Sequence, residues 1–63
     1  MNRIKEVREN AKMTQVELAS MAQISQPYLH DLESNHRGAK QETLERIAKA
    51  LGVNVDDLMQ KAG

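Results

Sequence analysis

Apolar residues recur along the chain at helical spacing in five short blocks, each opened by a turn or capping residue. Ile4, Val7 and Ala11 stripe the first block, with Asn2 placed as its N-cap. Thr14 stands before the second, where Leu18, Ala19 and Ala22 fall on one face. Ser25 stands before the third; Pro27 sits in its first turn, where a missing N–H costs little, and Leu29 and Leu32 point inward. Asn35 then suits a left-handed C-terminal cap. The fourth block has the cleanest stripe, Leu44, Ile47, Ala48 and Leu51, and Gly52 ends it. Asn54 precedes a final short block with Val55, Leu58 and Met59, and Asp56 and Asp57 lie in its first turn, where the helix dipole favours anions. Connections are short, and no linker or repeat interrupts them. The pattern predicts an all-α chain: a compact five-helix bundle forming one domain over residues 1–63.

Two charged residues break the stripes. On a 100° helical projection of the third block, Glu33 lies about 40° from Leu29, on the inward side. Arg8 lies four residues after Ile4, also on the inward side of its stripe. Burying one charge without the other is strongly unfavourable, so the spacing predicts a partly buried Arg8–Glu33 ion pair. The outward arc of the third block then consists of Gln26, Pro27, His30, Asp31 and Ser34, with Tyr28 on its edge. It contains no lysine or arginine.

Composition narrows the chemistry. Tyr28 is the one aromatic residue in a chain that is 40% hydrophobic, so the core must come from aliphatic side chains, with Met13, Met21 and Met59 expected as filler. Nine Lys plus Arg balance nine Asp plus Glu, so net charge gives no sign of a polyanionic partner. That balance does not exclude one. Phosphate affinity comes from positions flanking a reading helix, while base edges are read by neutral or acidic groups, such as Gln on adenine or Asp on the cytosine amino group. Here the flanks supply His36, Arg37 and Lys40 after the third block and Arg3, Lys5 and Lys12 in and after the first. The basic residues of the first block equally suit solvated pairs with Glu6 and Glu9. Thr14 and Gln15 add backbone N–H groups and an amide suited to a phosphate oxygen.

With no cysteine, disulfide and thiolate chemistry are excluded, and the cytoplasm is the expected location. No apolar run approaches the roughly 18–20 residues of a membrane span, and the polar N-terminus lacks a signal-peptide core. His30 and His36 stand six apart with no convergent ligands, so neither metal nor cofactor is expected. No Ser-His-Asp set, glycine-rich phosphate loop or paired acids argue for an enzyme.

The stretches "TQVELA" at Thr14 to Ala19, "ISQPYLHDLE" at Ile24 to Glu33 and "TLERIAKALGV" at Thr43 to Val53 together resemble the Cro/CI-type, or XRE-type, helix-turn-helix family of phage and bacterial repressors. The resemblance runs from Arg3 to Met59. It implies a lambda-repressor-like five-helix domain with the helix-turn-helix at helices 2 and 3, and helix 3, about residues 26–34, in the DNA major groove. It implies a small transcriptional regulator, a repressor, binding a pseudo-palindromic operator in double-stranded DNA as a homodimer, at least on DNA. By position, Gln26, Pro27, Tyr28 and Asp31 would meet base edges and His30 the groove wall; Thr14, Gln15, His36, Arg37 and Lys40 would meet phosphates; Arg8 and Glu33 match the family's ion pair. Ala22 stands where glycine is frequent in the turn between the helices, Asn35 where glycine often follows the reading helix, Ala39 where the loop usually has proline, and Lys40 where a capping serine is common. A helix-turn-helix used for protein interaction, antitoxin-like or regulator-binding, is the alternative that the neutral charge keeps open.

Overall fold

The computed structural model describes residues 2–59. Its elements run α1 (Ile4–Asn10), α2 (Gln15–Ala22), α3 (Gln26–Glu33) and α4 (Gln41–Leu51), followed by one 3-10 turn (Val55–Leu58). The core is aliphatic: Ile4, Leu18, Ala19, Ala22, Leu29, Leu32, Ile47, Ala48 and Leu58 are buried, contributed by every element. α2 packs on both α3 and α4, α1 packs on α3, and the 3-10 turn closes against α1 and α4. Leu44 and Leu51 are half-buried at the rim.

Each α-helix ends the same way. A residue near the C-terminus takes left-handed backbone: Lys12 (φ 61°), Gln23 (φ 61°), Asn35 (φ 62°) and Gly52 (φ 73°). The next residue then donates its N–H back across the last turn: Met13 to the Arg8 carbonyl, Ile24 to Ala19, His36 to Asp31 and Val53 to Ala48, at 2.9–3.2 Å. This closure satisfies carbonyls that a helix end leaves without partners. Met13, Ile24 and Val53 also pack against the core, so three closures carry an apolar anchor. Asn35 and Gly52 tolerate the conformation; Lys12 and Gln23 adopt it at a steric cost.

Three expectations need correction. The fifth helix is a single 3-10 turn, so among the described residues there are four α-helices rather than five. The Asp57 carboxylate accepts the Asn54 N–H at 3.0 Å, Met59 returns to extended backbone (ψ 148°), and the Leu58 carbonyl accepts the Arg3 N–H at 2.7 Å. A continuing helix would need that carbonyl for its own next turn; instead Asn2 and Met59 form an isolated antiparallel bridge. Ala11 is exposed, because α1 stops at Asn10 and left-handed Lys12 turns the chain away. Met21 and Met59 are exposed (59% and 42%) rather than core filler.

Asn2 ties the start of α1 to the end of α3. Its side-chain oxygen accepts the Ile4 N–H at 3.0 Å, although Arg3 occupies the boundary position of α1. Its amide nitrogen donates to the Leu32 carbonyl at 2.8 Å and to the Asn35 side chain at 3.2 Å. One side chain thus satisfies both the start of α1 and the end of α3.

Candidate nucleic-acid interface

The α2–turn–α3 unit is set by three local devices. At the start of α2, the Thr14 hydroxyl accepts the Glu17 N–H at 3.0 Å while the Glu17 carboxylate accepts the Thr14 N–H at 2.8 Å, a reciprocal capping box. The Thr14 N–H donated to it, and secondarily the nearby Thr14 hydroxyl, lower the pKa of the Glu17 carboxyl from its ordinary value. At its end, the left-handed turn residue is Gln23; Ala22, expected at that position, is the last residue of α2 and fully buried. The two are one step apart, and only Gln23 has the left-handed backbone that reverses the chain. The Ser25 hydroxyl then accepts the Tyr28 N–H at 3.2 Å, and Pro27 fits the first turn of α3.

Gln23 offers a direct test of this turn. Non-glycine residues pay roughly 1–2 kcal/mol for left-handed backbone, partly offset because glycine loses more freedom on folding. Gln23→Gly is expected to stabilise the protein by about 1 kcal/mol, raising Tm by roughly 4–8 °C in a domain of this size. Thermal melts followed by circular dichroism read it, and an unchanged or lower Tm would refute the strain argument.

The outward face of α3 carries exposed Gln26, Pro27, His30 and Ser34 and half-buried Tyr28 and Asp31. Behind this face lies a chain of polar side chains. Arg8 donates from Nε to Glu33 Oε2 at 2.7 Å and from Nη2 to Oε1 at 3.1 Å, and from Nη1 to the Met13 carbonyl at 2.9 Å. The pair is enclosed, with 11% and 3% of the two side chains exposed. The Glu33 bonds hold the Arg8 guanidinium above its ordinary pKa despite that burial. Gln15 Nε2 donates to Glu33 Oε1 at 3.1 Å, and Gln26 Nε2 donates to Gln15 Oε1 at 3.4 Å. The polar chain Arg8–Glu33–Gln15–Gln26 therefore joins α1, α2 and α3 and ends at the solvent-facing start of α3.

Sequence reasoning placed Gln15 near phosphate and missed that both ends of its amide are engaged. No spacing rule reports it, because both partners, Glu33 and Gln26, sit on α3 while Gln15 sits on α2. The Thr14 N–H is likewise closed inside the capping box, which leaves Gln15 and Val16 as the first-turn N–H groups of α2 without internal acceptors.

The flanks are charged. His36, Arg37 and Lys40 are exposed in the loop between α3 and α4, and Lys40 precedes α4 without a side-chain cap. Arg37 lies over the Tyr28 ring, 4.9 Å from its centroid. Lys5 joins Arg8, Gln15, His30, Glu33 and Ser34 around an open cleft between α1 and α3. Much of the negative charge is engaged elsewhere: Glu33 with Arg8, Glu6 with Arg3 at 3.1 Å, Glu17 and Asp57 in caps. Zero net charge is thus compatible with a positively flanked face. Among the described residues, no three His, Asp or Glu side chains converge to hold a metal ion, and no helix is long and apolar enough to cross a membrane.

Residues 4–58 match the helix-turn-helix family model. The chain is 42% identical over 57 residues to the immunity repressor protein of Bacillus phage phi105, an alignment covering 90% of this chain and 40% of that protein. It is 38% identical over 58 residues to an HTH-type transcriptional regulator of Deinococcus deserti, covering 92% of this chain and 45% of that protein. The chain spans less than half the length of these curated relatives.

Proposed function

This chain belongs to the helix-turn-helix family, and from that premise we propose that it binds double-stranded DNA sequence-specifically as a transcriptional regulator, a repressor that occupies a promoter. The observation that carries the reading is the start of α3: an exposed polar arc whose leading residue, Gln26, is tethered through Gln15 to the buried Arg8–Glu33 pair. A reading helix needs side chains held at fixed positions along a groove, and this tether supplies that. The mechanism is occupancy and requires no chemistry.

In this reading α3 enters the major groove, with Gln26, His30 and Asp31 presenting donors and acceptors to base edges. Pro27 offers only apolar surface, suited to a thymine methyl group. The first-turn N–H groups of α2, with His36, Arg37 and Lys40, meet phosphates on either side. The names of the phage immunity repressor and the Deinococcus regulator support the same role. The operator is a pseudo-palindrome bound by a homodimer, which places two copies of α3 about 34 Å apart along the duplex.

Selection from a random duplex pool at about 50 mM salt, followed by affinities for the winner and a scrambled control across a salt series, tests the proposal. A two-fold sequence preferred about a thousandfold or more is the expected result. Weak binding at low salt with no enriched sequence would overturn it in favour of a protein partner.

A further inference from the structure

Tyr28 has two faces to account for. It occupies the third position of α3, its N–H held by Ser25, and its half-buried ring packs against the core. The guanidinium of Arg37, nine residues on in the loop, lies 4.9 Å from the ring centroid. Among the described residues no carboxylate is within ion-pair distance of Arg37, whereas Arg3, Arg8 and Arg46 each have one. Among the described residues its charge is therefore held by an aromatic surface rather than by a counter-ion.

A cation–π contact engages the charge of the guanidinium without consuming its N–H donors, which stay available to a phosphate in bidentate geometry. An ion pair would consume those donors. A ring fixed by the core at the start of α3 also restricts a long loop side chain beforehand, so less freedom is lost when the donors engage. We infer that Tyr28 is a positioning residue: its ring is the platform that holds Arg37 for a DNA phosphate beside α3, and it does not read a base. This inference rests on the DNA-binding reading and reassigns Tyr28 within it.

Two measurements test it together. In the free protein, nuclear magnetic resonance should show the Arg37 side-chain protons shifted by the aromatic ring. The shift should persist in Tyr28→Phe and vanish in Tyr28→Leu. On DNA, Arg37→Ala should weaken binding to all duplexes alike and reduce the salt slope by about 0.9. Tyr28→Leu should weaken binding about two- to fivefold, the range of an exposed cation–π contact, equally for every single-base-pair variant of the selected duplex. It should add nothing in the Arg37→Ala background, and Tyr28→Phe should bind like the parent. Circular dichroism melts establish that each variant is folded, and if Tyr28→Leu is not, the comparison of Tyr28→Phe with Arg37→Ala and the ring-current shift decide alone.

A change of preference at one base pair in a folded Tyr28 variant would overturn the inference, as would an absent ring-current shift or independent losses at the two residues. If the parent protein prefers no duplex, the DNA-binding reading itself fails and the role falls with it. That outcome is recognised from the parent alone, before any variant is compared.

Discussion

Glu33→Ala is expected to cost about 3–5 kcal/mol, the penalty for leaving one member of a buried ion pair without the other. A chain of 63 residues has a total stability of roughly 3–9 kcal/mol, so the substitution should remove from about a third to all of it. The geometry explains the size of the effect. Three Arg8 nitrogens have defined acceptors, two on Glu33 and one on the Met13 carbonyl, and both side chains are nearly excluded from water. Without the carboxylate, a guanidinium remains enclosed with only a carbonyl to face it. Arg8→Ala should be comparably damaging, because it strands the acid. An apolar exchange at both positions, Arg8→Met with Glu33→Leu, should instead recover most of the stability, since burying neither charge removes the penalty. Urea unfolding of the three variants measures all of this. A loss below about 1 kcal/mol for Glu33→Ala would show that the pair is solvated in solution and does not hold α1 to α3.

The features readable from sequence were those settled within one turn of chain. Thr14 with Glu17, Ser25 with Tyr28, and left-handed Asn35 and Gly52 are local arrangements, and residue type at fixed spacing carries them. Leu18, Leu29 and Ile47 were readable because an apolar stripe repeats over two turns. Gln23 was harder to place. Left-handed backbone at a residue without special tolerance for it leaves no signature, and the family resemblance places the turn glycine one residue early, at Ala22. The fifth helix failed for a different reason: its length depends on Arg3 and Asn2, more than fifty positions away, capturing the backbone of Leu58 and Met59. At the candidate site the exposed arc of α3 follows from periodicity alone. The Gln15–Gln26 and Arg37–Tyr28 contacts do not, because each joins residues whose proximity exists only after α3 has packed.

Gln26→Ala is expected to cost about 1–3 kcal/mol, roughly 5- to 150-fold, at a single base pair of the selected duplex, with little change once that base pair is replaced. Gln15→Ala should reduce discrimination at the same base pair, and this is where the structure departs from a simple phosphate-contacting role. Gln15 donates to Glu33, which fixes its amide so that its oxygen faces α3; Gln26 then donates one N–H to that oxygen. The second N–H of Gln26 and its own oxygen remain, the donor and acceptor that adenine requires side by side. At 3.4 Å the Gln26–Gln15 contact is long, so its value lies in orientation more than in bond strength. Residues acting in one network couple, and a double-mutant cycle of the two glutamines should show an interaction energy of about 0.5–3 kcal/mol. The Arg8→Met, Glu33→Leu variant extends the test: it should keep the fold, yet Gln15 loses its acceptor and discrimination should fall as in Gln15→Ala. Affinities over a panel of single-base-pair duplex variants at fixed salt give each quantity. A uniform loss for Gln15→Ala, with discrimination intact and no coupling to Gln26, would mean that Gln15 grips the backbone and that Gln26 orients itself unaided.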